Sequence, residues 1–300
     1  MKHFATAILL SMGTFLSAQT KVIGSTIPVT AVAKAVLNGI PGYNVEVLLP
    51  SVAGCPHDYS LSPADMKRLT GAKIVVINGG GMEGFLDGVI ERVCPGAVIV
   101  DASEGILPKG HKHVCGKEHC NHHHHHAVNE HILASPAMMA KAVKSVGSQF
   151  QALPELKKYA GKVAENTERF AGELEKTADD YAAFAEALPP SEKNVLIQHS
   201  LFEYLAEEAG FHVRGEIFEH DLQEPSASDA AKIIRQIRKE KIYAIFAEPG
   251  KSSKMTEMIA RESKIPVIYL EANPKEDSPE GILQMFRNDL KILKETVDSK

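Results

Sequence analysis

The sequence predicts an α/β protein of two lobes, each a parallel sheet flanked by helices, joined by one long linker helix. Two observations predict this architecture. In both halves of the 300-residue chain, short apolar runs alternate with segments of helical periodicity, which is the pattern of parallel strands covered by helices. Between the halves, residues 154–188 carry apolar side chains at three- and four-residue spacings, which is typical of an amphipathic helix.

Each element follows from its local pattern. In the first half, Ser62, Pro63 and Asp65 predict the capped start of a short helix. The other predicted helices of this half cover 29–37 and 82–93, and its predicted strands cover 21–24, 43–49, 73–78 and 97–101. In the second half we expect strands at 194–198, 213–218, 242–247 and 267–270, with helices at 201–209, 227–239, 253–263 and 280–297.

The linker segment sets the domain boundaries. If it is helical throughout, residues 154–188 extend about 52 Å at 1.5 Å per residue, enough to run the height of both lobes. Because the segment separates two complete sets of strands and helices, we expect a first lobe at 19–150, a linker helix at 151–188 and a second lobe at 189–300.

The N-terminus predicts export. Lys2 precedes an apolar run over 4–16, and Leu16, Ser17 and Ala18 resemble a small-residue cleavage site. This order indicates a cleavable signal peptide at 1–18 and a periplasmic or other extracytoplasmic location. The run is shorter than the roughly 20 residues of a membrane-spanning helix, and no later segment reaches that length. The formal net charge of −5 argues against a nucleic-acid partner, and we expect a soluble monomer.

Residues 111–126 hold eight of the fourteen histidines together with Cys115 and Cys120. Imidazole and thiolate are preferred ligands of borderline divalent metals, and so many polar rings cannot be buried in a core. The segment therefore predicts an exposed, metal-related loop rather than a merely solvated one. The two cysteines either pair locally or bind metal. The auxiliary metal ligands of the loop are His111, His113, His119, His122, His123, His124, His125 and His126.

The two remaining cysteines are not expected to pair. Cys55 follows a predicted strand, whereas Cys94 lies in a turn between a helix and the next strand. These two kinds of loop lie at opposite edges of a parallel sheet, about 15 Å apart. A disulfide needs Cα atoms within about 7 Å.

Four metal-competent side chains follow the ends of predicted strands: His57, His131, His199 and Glu271. Ligands of open α/β sheets bind at the carboxyl ends of the strands. Since two of the four come from each lobe, we expect them to face one another across a cleft between the lobes. Glu248 also ends a predicted strand and is the reserve fourth ligand.

The motifs around these residues resemble the metal-binding solute-binding proteins of bacterial ABC importers, and within them the zinc-uptake branch. The resemblance covers nearly the whole chain after the signal peptide. It is carried by Pro56-His57-Asp58-Tyr59 before Ser62-Pro63-Ala64-Asp65, by the segment 75–83 ending in Glu83, by 129–136 around His131, by 199–206 from His199 with Glu224-Pro-Ser-Ala227, and by Glu271.

Four positions depart from the family pattern. Asn129 and Glu130 replace Asp-Pro before His131, and Leu133 replaces a tryptophan, so the scaffold around that ligand is altered. Cys55 stands where an aspartate is common. It is either an additional soft ligand or, as we favour, a small half-buried thiol.

The resemblance implies a zinc receptor that delivers its metal to an importer permease, with His57, His131, His199 and Glu271 as ligands. Three imidazoles and one carboxylate suit tetrahedral Zn²⁺, although the same donors bind Cu²⁺, Ni²⁺ or Co²⁺ well, and a manganese or other divalent-metal receptor is an alternative. A second alternative is metal storage or buffering through the histidine-rich loop. A zinc hydrolase is disfavoured, because four protein ligands leave no open coordination position. We therefore expect no enzymatic activity and no resident cofactor besides the transported Zn²⁺.

Overall fold

The computed structural model describes residues 19–50, 56, 59–107, 128–218, 224–250 and 253–298. These residues form two four-stranded parallel sheets, as predicted. The first sheet has the order β2-β1-β3-β4 and the second the order β6-β5-β7-β8. The strands are β1 Thr20–Gly24, β2 Tyr43–Val47, β3 Ile74–Ile77, β4 Val98–Asp101, β5 Asn194–Ile197, β6 His212–Glu216, β7 Ala244–Ala247 and β8 Val267–Tyr269.

Helices cover these sheets and connect their strands. They are α1 Ile27–Val36, α2 Pro63–Leu69, α3 Val89–Val93, α4 Pro136–Ala152, α5 Ala160–Ala187, α6 Glu203–Glu208, α7 Ala227–Glu240, α8 Lys254–Ser263 and α9 Pro279–Asp298. The predicted cap of α2 is confirmed, because the side chains of Ser62 and Asp65 each bond the other's backbone N–H. Within the described residues, no helix is both long and apolar enough to cross a membrane.

Successive strand residues supply three hydrophobic cores. In β1, Val22 joins the main core and Ile23 a smaller one on the opposite face. In β5, Val195 joins the main core, whereas Leu196 joins a third core on the outer face of the second sheet. This division follows from the period of two of a strand. The main core contains buried residues of both lobes and continues along one side of α5.

Helix α5 contributes to that core at helical spacing. Its buried residues are Val163, Asn166, Thr167, Phe170, Ala171, Leu174, Thr177, Tyr181 and Phe184. The predicted α-helix over 154–188 is shorter in the structure, because Pro154–Tyr159 forms a 3₁₀ helix and the α-helix begins at Ala160. Its 28 residues extend about 42 Å at 1.5 Å per residue.

A second helix, α4, packs against α5 and was not among the predicted elements. Gly147 of α4 lies so close to Thr167 of α5 that a Cβ at position 147 would meet the threonine side chain at 2.2 Å. Helix α4 is therefore packed closely against the linker helix α5. The predicted boundaries at residues 150 and 188 stay predictions, and the predicted signal peptide lies outside the described residues.

The predicted helix over 82–93 is wrong. The structure has a 3₁₀ turn, Gly84–Leu86, followed by the short helix α3. Gly88 separates them with a φ of 66°, a left-handed conformation that glycine adopts readily and that ends a right-handed helix. Cys94, at the end of α3, is a free and buried thiol, in agreement with the prediction that it does not pair with Cys55.

Candidate metal site

His131 lies in the first lobe, on the segment that leads into α4. Its backbone begins a 3₁₀ turn, Ile132–Ala134, whose three residues are all buried. Ser135 then caps α4 by accepting a hydrogen bond from the backbone N–H of Met138. His131 is itself only 4 % exposed. Buried residues on its C-terminal side therefore hold this histidine in place.

A buried hydrogen-bond network holds the N-terminal side of the same segment. The side-chain amide of Asn78, at the end of β3, donates to the carbonyl oxygen of Glu130 at 2.9 Å. The backbone N–H of Asn78 in turn donates to Glu83 at 2.8 Å, and Glu83 also accepts from the Ser25 hydroxyl and the Gly79 N–H. Burial raises the pKa of Glu83 to about 7, although the three hydrogen bonds favour its charged form.

His199 lies in the second lobe, two residues after the end of β5, with an extended backbone. Its imidazole meets that of His131 edge to face, with the ring centroids 5.0 Å apart and the planes at 89°. The structure thus brings together two of the four predicted ligands, one from each lobe.

Asn129 connects these two histidine segments. Its Oδ1 lies 2.9 Å from the backbone nitrogen of His131 and 2.8 Å from Nδ1 of the same residue. Its Nδ2 donates to the carbonyl oxygen of Ser200 at 2.9 Å and to Oε2 of Glu203 at 2.8 Å. The hydroxyl of Tyr204 donates to the carbonyl oxygen of Asn129 at 2.7 Å. The contact between the lobes is therefore hydrogen-bonded beside the imidazole pair.

Two further contacts tie the lobes together. Glu208 of α6 accepts hydrogen bonds from the hydroxyl of Ser135 and from the backbone N–H of Ala137, at the N-terminus of α4. Burial raises the pKa of the Glu208 carboxyl, while these hydrogen bonds favour its charged form. On another side, Lys34 of α1 forms an ion pair of 2.6 Å with Asp277, which follows β8.

Glu271 follows the end of β8, as predicted, but is held differently. Its backbone N–H donates to Oδ1 of Asp289 at 2.9 Å, whereas its side chain is 29 % exposed and 3.9 Å from Nζ of Lys275. Asp289 is completely buried. Burial, together with the charge of Glu271, raises the pKa of Asp289 to about 8 against the lowering effect of that hydrogen bond.

The described residues contain no group of three or more His, Cys, Asp or Glu side chains arranged to hold a metal ion. Glu271 and the reserve ligand Glu248 therefore stay predictions. His57, Cys55 and the loop residues Cys115 and Cys120 lie outside the described residues. So do the loop histidines His111, His113, His119, His122, His123, His124, His125 and His126.

The connecting residues Asn129, Glu203 and Tyr204 were not predicted from the sequence. The one available signal was the departure at Asn129, which indicated an altered scaffold around His131. It could not show the partners, because Ser200 and Glu203 follow it by 71 and 74 residues in the chain.

Comparison with known proteins identifies the family. The model of the family described as ZnuA, zinc-uptake complex component A, periplasmic, matches residues 22–296. The chain belongs to the ZnuA family. It is 29 % identical over 267 residues to the high-affinity zinc uptake system protein ZnuA of Bacillus subtilis, covering 85 % of this chain and 81 % of that protein. The ZnuA protein of Yersinia pestis is 28 % identical over 262 residues, covering 82 % of this chain and 80 % of its relative.

A solved structure supports the same fold. The solute-binding protein FpvC of Pseudomonas aeruginosa, in complex with Mn²⁺, superimposes with a TM-score of 0.78. The alignment covers 94 % of this chain and 99 % of FpvC at 20 % identity. Members of the ZnuA family are periplasmic solute-binding components of zinc uptake and not enzymes. The predicted family and two-lobed fold are therefore confirmed, and the hydrolase alternative is set aside.

Proposed function

We propose that this chain is an extracytoplasmic receptor that captures Zn²⁺ between its lobes and delivers it to the membrane permease of an ABC importer. The ligands are His57, His131, His199 and Glu271, with Glu248 in reserve. The observation that carries the proposal is the pair of imidazoles contributed by the two lobes, with ring centroids 5.0 Å apart. Two imidazoles bound to one tetrahedral zinc ion at about 2.0–2.1 Å hold their centroids at about this separation.

The donor set supports zinc as the cargo. Imidazole nitrogens dominate it, and His199 supplies nitrogen where a carboxylate would favour Mn²⁺. Membership of a family described as zinc-uptake components supports the same choice. The protein acts outside the cytoplasm after removal of residues 1–18, and it acts as a monomer.

The histidine-rich segment 111–126 supports an auxiliary role. In this proposal its eight imidazoles act as weak zinc ligands that raise the metal concentration available to the tight site. The same eight histidines also favour a second candidate function, storage or buffering of metal, in which the loop is the main binder.

Competitive zinc titration of the full chain tests the proposal. The variants His57→Ala, His131→Ala and His199→Ala should each lose the tight equivalent, because each removes a ligand. The control His212→Ala, an exposed histidine on β6, should retain it. Tight binding that survives in any of the three variants removes that histidine from the site.

Deletion of residues 111–126 distinguishes the receptor function from the storage function. One tight equivalent should remain, because none of the four proposed ligands lies in the segment, while the weaker equivalents should disappear. Loss of the tight equivalent with the loop would contradict the receptor and favour storage. Delivery is tested by the zinc-dependent ATPase activity of the importer in proteoliposomes, which the wild-type chain should stimulate and His199→Ala should not.

A further inference from the structure

The orientation of the Asn129 side chain follows from the chemistry of its partners. The backbone nitrogen of His131 can only donate a hydrogen bond, so the Asn129 atom 2.9 Å from it must be the oxygen. The carbonyl oxygen of Ser200 can only accept, so the atom 2.9 Å from it must be the NH₂ group. The second acceptor of that NH₂ group, a carboxylate oxygen of Glu203, agrees.

This orientation determines which nitrogen of His131 carries the proton. Nδ1 lies 2.8 Å from the same Asn129 oxygen, and an oxygen that only accepts must face a protonated nitrogen. The neutral imidazole is therefore the Nδ1–H tautomer, and its lone pair is on Nε2. A metal ligand needs that lone pair, and the hydrogen bond made by the other ring nitrogen sets which nitrogen is available.

The same amide also locates the second imidazole. Ser200 follows His199 directly, and its carbonyl oxygen accepts from Asn129, which precedes His131 by two residues. One side chain thus contacts the backbone beside each histidine, and its two ends have opposite hydrogen-bonding character. An aspartate here could hold the proton of Nδ1, but it would present a carboxylate oxygen to the Ser200 carbonyl and to the Glu203 carboxylate.

We infer that Asn129 is a positioning residue of the zinc site, which selects Nε2 of His131 as the ligating atom and holds the His199 segment beside it. This inference rests on the proposed function, because it takes both histidines as zinc ligands. The role needs both ends of an amide, an acceptor for the first lobe and a donor for the second. It explains why an asparagine can replace the family's aspartate at this position.

The first measurement is the tautomer of His131. Long-range ¹H–¹⁵N NMR spectra of the zinc-free full chain at pH 8 report it, with the His131 signals assigned by their absence in His131→Ala. The wild type should show Nδ1–H, and so should Asn129→Asp, which retains an acceptor. Asn129→Ala should lose that preference. An Nε2–H tautomer in the wild type, or an unchanged preference in Asn129→Ala, would overturn the inference.

The second measurement is zinc affinity by competitive titration of the same variants. Asn129→Ala should bind about 10–100-fold more weakly, the range typical of lost outer-shell partners. Asn129→Asp should also lose at least tenfold, because its carboxylate is repelled by Glu203. The double variant Asn129→Asp with Glu203→Gln should recover part of that loss, since glutamine can donate to the new carboxylate. Glu203→Gln alone, whose amide oxygen still accepts from Asn129, gives the reference affinity against which the double variant is compared.

Controls separate this inference from a general loss of structure and from failure of the proposed function. Asn44→Ala removes an exposed asparagine on β2 that bonds Glu46, and it should change neither measurement. A loss of less than tenfold in Asn129→Ala, with binding lost in His131→Ala and His199→Ala, overturns this inference alone. Unchanged binding in the two histidine variants overturns the proposed function. If Asn129→Ala does not fold, the test is the zinc affinity of Asn129→Asp and its partial recovery in the double variant with Glu203→Gln. If the double variant recovers no affinity, the inference is overturned.

Discussion

His131 of the first lobe and Glu271 of the second lobe are held in different ways. His131 is buried, and the residues around it bond its ring, its own backbone and the backbone before it, through Asn129 and Asn78. The side chain of Glu271 is 29 % exposed, and its strongest described tie is the backbone hydrogen bond to Asp289. The difference indicates a prearranged ligand on one side of the site and an adjustable one on the other.

The largest expected effect contrasts these two ligands directly. His131→Ala should weaken zinc binding by more than about 100-fold, beyond the 10–100-fold range of outer-shell changes. Glu271→Ala should cost about tenfold, because water can occupy the fourth position of a zinc ion held by three protein ligands. Competitive titration gives both values, with the exposed Glu276→Ala as control. Equal losses in the two variants would show that the two sides are equally prearranged.

A smaller effect comes from the network behind His131. The pKa of Glu83 is raised from 4.5 to about 7 by burial. The folded chain therefore keeps a proton that the unfolded chain releases as the pH rises from 4.5 to 7. Stability from this group is greatest below pH 4.5 and falls across that window, by an amount on the order of 3 kcal/mol.

Glu83→Gln removes this titration and also removes one acceptor of the network, because the amide NH₂ group that replaces a carboxylate oxygen cannot accept from the Gly79 N–H. Urea unfolding of the zinc-free chain should show the variant less stable than the wild type at pH 5, with the gap narrowing by pH 8. A difference in unfolding free energy that stays constant or widens as the pH rises would contradict the raised pKa of Glu83. It would also contradict this account of the hydrogen-bond network behind His131.

The smallest expected effect concerns the ion pair between Lys34 and Asp277, six residues after Glu271. Lys34→Met breaks the 2.6 Å ion pair with Asp277 between the lobes, in which both side chains are about one-third exposed. Such pairs contribute about 0–1 kcal/mol, so the unfolding free energy should fall by less than about 1 kcal/mol. Lys162→Met, which breaks an exposed pair within α5, is the matched control. If Lys34→Met weakens zinc binding and Lys162→Met does not, the ion pair between Lys34 and Asp277 helps to position Glu271.

The regular part of the fold was predictable from the sequence. The eight strands of the described residues lie within predicted segments or within one residue of them, because buried parallel strands are short, apolar and rich in β-branched residues. The break in the predicted helix over 82–93 was not predicted, because it depends on Gly88 adopting a left-handed conformation. Helix α4 was not predicted either, because its alanines and Gly147 dilute the apolar pattern.

The candidate site was predictable only in its ligand types. Strand ends indicated that His131 and His199 lie close together, and the structure confirms that they do. The hydrogen bonds of Asn129 were beyond prediction, because they depend on how two segments some 70 residues apart meet in space. The departure from the family motif showed where to look, and the geometry supplied the reason.

The main core includes buried residues of both lobes along α5. Each sheet turns one face toward this core. If one sheet exposed that face to water, apolar surface of the other sheet would be exposed as well. We therefore expect the two lobes to unfold in one cooperative transition, so that a core substitution in either lobe lowers the melting temperature of both.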